Sequence, residues 1–284
     1  MRLFFMQKKI RYFLLTKSVG FALNLLSWIQ PKKSAQIAYR LFSHPRKGKR
    51  EQLPEFLAQA QQQPIQIGGK NVHIYEWKNE GEKILLIHGW ESNAYRWVGL
   101  IQFLKKKKFH IIAIDAPAQG LSDGYELNPM MYSQAIDEVC RIYQPKILVG
   151  HSFGGFTSLY YQSFYQNKHL SKIIILGSPN KFEGLLINYK HLLGMSNRAY
   201  RRFLRLFKTD FDIDLATYSA EEFITKIQQP ILWIHDETDT IVPYSNAIEI
   251  EKRHPKILMY TTVNVGHSLY NQAVYKQMYQ FLSE

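Results

Sequence analysis

The sequence predicts an α/β fold, a mostly parallel central sheet covered by helices on both faces, and three observations predict it. Six short apolar runs recur along the chain, at residues 83–90, 109–115, 146–150, 173–177, 230–235 and 257–260. They are continuous rather than alternating, as expected of strands buried on both faces. Longer segments able to form helices separate them, which is the spacing of strand–helix–strand units. The 284 residues, 46% of them hydrophobic, are enough to bury one large core with room for one inserted segment. An antiparallel hairpin opens the sheet, with residues 64–67 and 71–77 joined by Gly68, Gly69 and Lys70.

The third run ends abruptly in Gly150-His151-Ser152-Phe153-Gly154. A G-x-S-x-G segment between a strand and a helix holds its serine on a strained turn, with the hydroxyl raised above the sheet. The glycines remove the β-carbons that would clash there. Residues 147–149 are strand-like, and residues 156–161 can continue as a helix packed on the sheet.

With these pieces in order, residues 64–284 resemble the α/β-hydrolase superfamily, in its single-domain esterase and lipase-like branch. His88-Gly89-Trp90 is similar to the family's oxyanion turn, and residues 115–122 to its D-x-P-G-H-G-x-S turn. Residues 235–243, ending in Val242-Pro243, resemble its acid turn, and Gly266-His267 its terminal G-H. The resemblance implies Ser152 as nucleophile, His267 as base and Asp239 as the carboxylate behind it. It also implies backbone N–H groups of Trp90 and Phe153 as the oxyanion hole. The chemistry agrees, since a serine hydroxyl needs an imidazole to take its proton and the imidazole needs a carboxylate to fix its tautomer. The order serine, aspartate, histidine is that of this fold.

Asp236 and Glu237 compete with Asp239 in the same turn, and the spacing to Val242-Pro243 favours Asp239. His88 is expected to shape the oxyanion turn, and Asp115 and Asp123 to organise their loop. Ala118 and Gln119 stand where the family usually has glycine and histidine, and Asp236 where it has glycine. Serine at the nucleophile position excludes a haloalkane dehalogenase, which would need aspartate there.

The resemblance implies hydrolysis of a carboxylic ester with an apolar acyl or alcohol part, without metal or cofactor. A thioesterase and a small-peptide serine peptidase remain open, because one triad serves all three. A non-catalytic binding protein on the same fold is the rival from another class, and the complete triad speaks against it.

Residues 1–50 hold twelve Lys and Arg and no acid, so of a net +13 only +1 remains from Glu51 onward. That distribution excludes a nucleic-acid surface on the body and confines the basic character to an N-terminal extension. The extension is also apolar, with Leu15, Val19, Ala22, Leu26 and Ile29 at helical spacing, widened by Phe21, Leu23, Leu25 and Trp28. Four readings compete: a spanning helix, a cleaved signal peptide, a helix lying on an anionic membrane surface, and a helix docked on the body. Lys17 interrupts the first two. The expected location is the cytoplasm, with the inner face of the membrane as the place of any peripheral contact.

Residues 43–51 read as a linker from this extension to a hydrolase domain at 51–284. Residues 180–229 form a helical insertion, the cap in this fold, far longer than an ordinary connection. Leu185, Leu186, Ile187, Tyr189, Leu192, Leu193 and Met195 are candidates for an apolar pocket or for packing. Arg198, Arg201, Arg202 and Arg205 share one helical face, solvated or meeting an anion. The lysines at 105–108 close a helix, and Cys140, the single cysteine, is expected buried and rules out a disulfide framework.

Overall fold

A computed structural model describes residues 2–284, with side chains from Ile10 onward; Arg2, Lys8 and Lys9 of the basic extension lie outside the described side chains. The chain divides into two compact units, Met1–Ser43 with Lys181–Tyr218, and His44–Asn180 with Ser219–Glu284.

The second unit is built on an eight-stranded sheet. Its strands are β1 (Gln61–Ile67), β2 (Lys70–Trp77), β3 (Lys83–Ile87), β4 (His110–Ile114), β5 (Ile147–His151), β6 (Lys172–Leu176), β7 (Ile231–Asp236) and β8 (Leu258–Thr262). They lie in the order β1-β2-β4-β3-β5-β6-β7-β8. β1 and β2 form the antiparallel hairpin, with Ile67 opposite Lys70 across a Gly68-Gly69 turn, and every pairing from β4 to β8 is parallel. The six apolar runs are thus the six parallel strands. Strands β4, β5 and β7 are buried at every residue, which explains why those runs do not alternate.

Helices follow where the caps direct. In the first unit α1 (Arg2–Ile29) and α2 (Pro31–Ser43) open the chain; a short α3 (Glu55–Ala58) precedes the sheet. Then come α4 (Val98–Lys106), α5 (Pro129–Tyr143), α6 (Phe153–Tyr165), α7 (Phe182–Leu193), α8 (Asn197–Phe211), α9 (Ala220–Ile224), α10 (Ser245–Arg253) and α11 (Gln272–Ser283). Asn128 caps α5 by accepting from the Met131 amide at 2.9 Å, with Pro129 at the first helical position. Ser196 and Asn271 cap α8 and α11 in the same way. Cys140 is buried in α5.

Residues 44–50 are strapped to the second unit rather than free. The Gly120 amide donates to Gly48 O and the Arg50 amide to Gly120 O, both at 2.8 Å. Lys49 Nζ reaches Ser122 O, and Arg50 Nε donates to Asn93 Oδ1 at 3.1 Å.

The first unit joins the N-terminal helices to the insertion, whose share runs from Lys181 to Tyr218 and excludes α9. Its core is aromatic. Phe42 packs edge-on against Phe182, Tyr189 and Phe203, and Tyr39 against Phe207. Leu186, Leu193 and Met195 are buried in this unit, whereas Ile187 is exposed. Tyr189 donates its hydroxyl to Ala38 O at 3.0 Å.

α1 turns a different face inward from the one its apolar spacing predicts. Thr16, Gly20, Leu23 and Ser27 are buried, while Leu15, Ala22 and Ile29 of the expected stripe are exposed. The reason is close approach: a β-carbon on Gly20 would lie 1.8 Å from Leu193 O, so only glycine lets α1 reach the end of α7. Polar groups complete the seam. Lys17 Nζ donates to His191 O at 2.8 Å, Asn24 Nδ2 to Gly194 O at 3.0 Å, and the Ser196 amide to Asn24 Oδ1 at 2.7 Å. Gly20→Val should therefore lower stability by about 1–3 kcal/mol through overpacking, read as a drop in thermal midpoint. An unchanged midpoint would mean α1 does not hold this seam in solution.

Candidate active site

The site is assembled at the carboxyl ends of β3, β5, β7 and β8. β5 ends at His151, and Ser152 adopts φ +54° and ψ −123° before α6 begins. This is a strained conformation for a residue with a side chain. The Ser152 amide is held by Leu176 O at 2.8 Å. A β-carbon on Gly154 would lie 2.4 Å from both Ile87 O and His88 O, so glycine alone lets α6 approach the end of β3. That contact sets His88-Gly89-Trp90 beside the serine, and a β-carbon on Gly89 would stand 3.0 Å from Ser152 Cβ. Phe153 is the first residue of α6, and its N–H has no intrahelical acceptor. The Trp90 and Phe153 rings meet edge to face at 5.7 Å and give the neighbourhood of Ser152 an apolar wall.

The acid and the imidazole are joined. His267 Nδ1 donates to Asp239 Oδ2 at 2.7 Å, and Asp239 Oδ1 accepts from the Ile241 and Val242 amides at 2.8 and 2.9 Å. Burial pushes the Asp239 carboxyl up, but the bonds from His267, Val242 and Ile241 outweigh it and hold it below its ordinary value. With Nδ1 bonded, Nε2 of His267 is left as the proton acceptor. No hydrogen bond joins Ser152 Oγ to His267 among the described residues. Such bonds are often long in unliganded enzymes and tighten around substrate.

Asp236, the competitor for the acid position, does different work. It is fully buried and accepts from Thr238 N at 3.0 Å, Thr238 Oγ1 at 2.5 Å, Thr262 Oγ1 at 2.7 Å and Val265 N at 2.9 Å. Burial alone would raise its pKa, yet these donors hold it far below the carboxylate range. It ties the acid turn to β8 and to the loop that carries His267. Glu237 is exposed and takes no part.

Further supports were not legible from motifs. Arg96 Nη2 donates to Ser268 O at 3.0 Å, and its guanidinium stacks on Trp97 and Tyr270, clamping the residue after His267. His151 Nε2 donates to His267 O at 2.8 Å, its ring 4.7 Å from the His267 ring. His235 Nε2 donates to Val242 O at 2.9 Å and lies 3.5 Å from Asp239 Oδ2. His151 and His235 lie inside the quoted motifs and Arg96 shortly after the His88-Gly89-Trp90 turn, and only their place in space reveals these contacts.

His88 braces the His88-Gly89-Trp90 turn. Its Nδ1 donates to Gly89 O at 2.8 Å and its Nε2 accepts from the Ala116 amide at 2.9 Å. Asp115 accepts from Ala94 N, Tyr75 Oη and Leu121 N at 2.7–2.9 Å, and Asp123 accepts from Asn71. Ala118 adopts φ +64°, the conformation for which the family places glycine. Gln119 Oε1 accepts from the Ser92 amide at 2.7 Å, tying this loop to the oxyanion turn. No cluster of metal-binding side chains occurs among the described residues.

A serine elbow and an Asp–His pair at the strand ends of this sheet form a candidate site of the kind the α/β-hydrolase fold carries. The chain has the α/β-hydrolase fold, and residues 83–220 match the family model described as alpha/beta hydrolase fold. It is 25% identical to the pimeloyl-[acyl-carrier protein] methyl ester esterase of Legionella pneumophila, over 72% of this chain and 92% of that protein. It is 28% identical to phospholipase YtpA of Bacillus subtilis, over 57% of this chain and 65% of that protein. Among solved structures it is similar to the esterase RhEst1 from Rhodococcus sp. ECU1013, with a TM-score of 0.61 at 15% identity, covering 79% of this chain and 98% of that one. That last likeness concerns the fold.

Two measurements test the framework. Asp236→Ala strands four donors and should cost roughly 2–4 kcal/mol, read by denaturant unfolding; a cost near zero would remove Asp236 from the scaffold. Burial lowers the His88 pKa to about 4 and that of His151 well below its ordinary value. Both titrate near 6.5 in an unfolded chain. As pH falls from about 6.5 towards 4 the unfolded chain takes up protons that the fold refuses, so stability falls across that window. His88→Gln should flatten the fall in melting temperature, and an identical slope in both proteins would contradict this.

Proposed function

We propose that the chain is a serine hydrolase that cleaves a small-molecule carboxylic ester through an acyl-enzyme. The observation that carries this reading is the 2.7 Å bond from His267 Nδ1 to Asp239 Oδ2, on the same strand ends as the strained Ser152. Ser152 Oγ attacks the ester carbonyl as His267 Nε2 takes its proton. Asp239 stabilises the imidazolium, and the Trp90 and Phe153 amides receive the oxyanion. Collapse of the tetrahedral intermediate breaks the carbonyl–alkoxy bond, and His267 returns the proton to the departing alcohol. Water, deprotonated by the same imidazole, then releases the acid and restores Ser152. The apolar wall of Trp90 and Phe153 supports an ester with an apolar part. So does the similarity to a methyl ester esterase.

Labelling with a fluorophosphonate probe, followed by turnover of p-nitrophenyl esters of rising chain length, tests this reading. Wild-type protein should label, and Ser152→Ala should lose labelling and lower kcat by roughly a thousandfold or more. Folded wild-type protein that neither labels nor turns over any ester would replace the enzyme reading with a ligand-binding one.

A further inference from the structure

The first unit is polarised in a way that no interior explains. On α1 the buried ridge, Thr16, Gly20, Leu23 and Ser27, is mostly small or polar. The opposite side carries Leu14, Phe21, Leu25, Trp28 and Ile29, all exposed, with Phe21 at 65%, Trp28 at 68% and Ile29 at 77%. A helix of a water-soluble domain turns its large apolar groups inward. This one turns them outward, and the stretch Ile10–Ile29 is long and apolar enough to cross a membrane by length and composition. An exposed patch of this kind marks a surface that something covers.

Charge identifies the cover. The two segments of the unit, residues 1–43 and 181–218, hold fifteen Lys and Arg against four acids, a net +11 of the chain's +13. Lys32 and Lys33 follow the apolar face directly in sequence, and the Arg198 guanidinium lies over the Trp28 ring at 4.1 Å. An apolar face ending in a tryptophan and edged by cations matches an anionic lipid surface: acyl chains for the first, headgroup phosphates for the second.

We infer that α1 lies in the plane of an anionic bilayer surface and holds the α7–α8 insertion there with it. A spanning orientation conflicts with the seam. Lys17 and Asn24 bond the backbone at His191, Gly194 and Ser196, and Arg198 Nε donates to Ser27 O at 3.2 Å. A spanning α1 would pull the arginines of α8 into hydrocarbon, where charge is strongly disfavoured. Lying flat, the helix buries Phe21, Leu25 and Trp28 while Arg198, Arg201 and Arg202 remain at headgroup level. The inference is independent of which ester Ser152 attacks.

Co-sedimentation of the full chain with phosphatidylcholine vesicles, with and without phosphatidylglycerol, tests it. The chain should pellet with the anionic vesicles, and high salt should weaken that binding. The double variant Phe21→Asp with Leu25→Asp should bind at least roughly tenfold less while keeping the wild-type melting temperature. Bromine-labelled acyl chains should quench tryptophan fluorescence in the wild type, and Trp28→Phe should lose that quenching. A chain that stays in the supernatant, or a double variant that binds as well as wild type, overturns the inference. So does a wild-type dimer without lipid affinity that the double variant disperses, since a second copy would then cover the face.

Discussion

Ser152 can project its hydroxyl only because Gly154 lets two backbones meet. The strained serine needs a helix starting within one residue of the strand, and that helix must pass against the end of β3. A β-carbon on Gly154 would collide with Ile87 O and His88 O, so any side chain there would push α6 away. With α6 the Phe153 amide would move, and with β3 the oxyanion turn. Ser152 and the amides proposed as oxyanion donors are therefore fixed by one contact rather than by two separate loops, which is the preorganisation that the proposed acyl transfer would demand.

The other half of the site depends on two aspartates three residues apart, with opposite duties. Asp239 spends one oxygen on the Ile241 and Val242 amides and the other on His267. Asp236 spends both of its oxygens on the scaffold, Thr238, Thr262 and Val265. Each carboxylate is buried and each is stabilised as an anion by its own set of donors, so neither can substitute for the other. The family's usual glycine at position 236 would leave the turn and the histidine loop to be joined by other means.

The sheet and the candidate site were largely legible in the sequence because both are written in local patterns. Continuous apolar runs gave six strands, and Gly-x-Ser-x-Gly, Val242-Pro243 and Gly266-His267 placed the three triad candidates in order. Arg96 and His151 escaped because their partners, Ser268 O and His267 O, are more than a hundred residues away. No spacing rule reports a side chain bonding a distant carbonyl. The orientation of α1 escaped for a related reason. Apolar spacing reports which side of a helix is greasy, and the choice of inward face was made by Gly20 and Asn24 meeting residues 191–196. The tie of residues 44–50 to the Gly120 turn is a backbone pairing, which composition does not encode.

The pairing of residues 1–43 with 181–218 has a consequence for how the protein is born. α1 and α2 leave the ribosome before their partners, which follow only after 137 intervening residues. At typical synthesis rates that delay is roughly 7–30 seconds. Throughout it Tyr39 and Phe42 lack the rings of Phe182, Phe203 and Phe207 that will enclose them. The sheet can begin to assemble from residues that lie between, while α1 and α2 wait. Residues 1–43 are thus made before the sheet and completed only when residues 181–218 follow. Trimming them would strip Tyr39 and Phe42 from the rings of Phe182, Tyr189, Phe203 and Phe207.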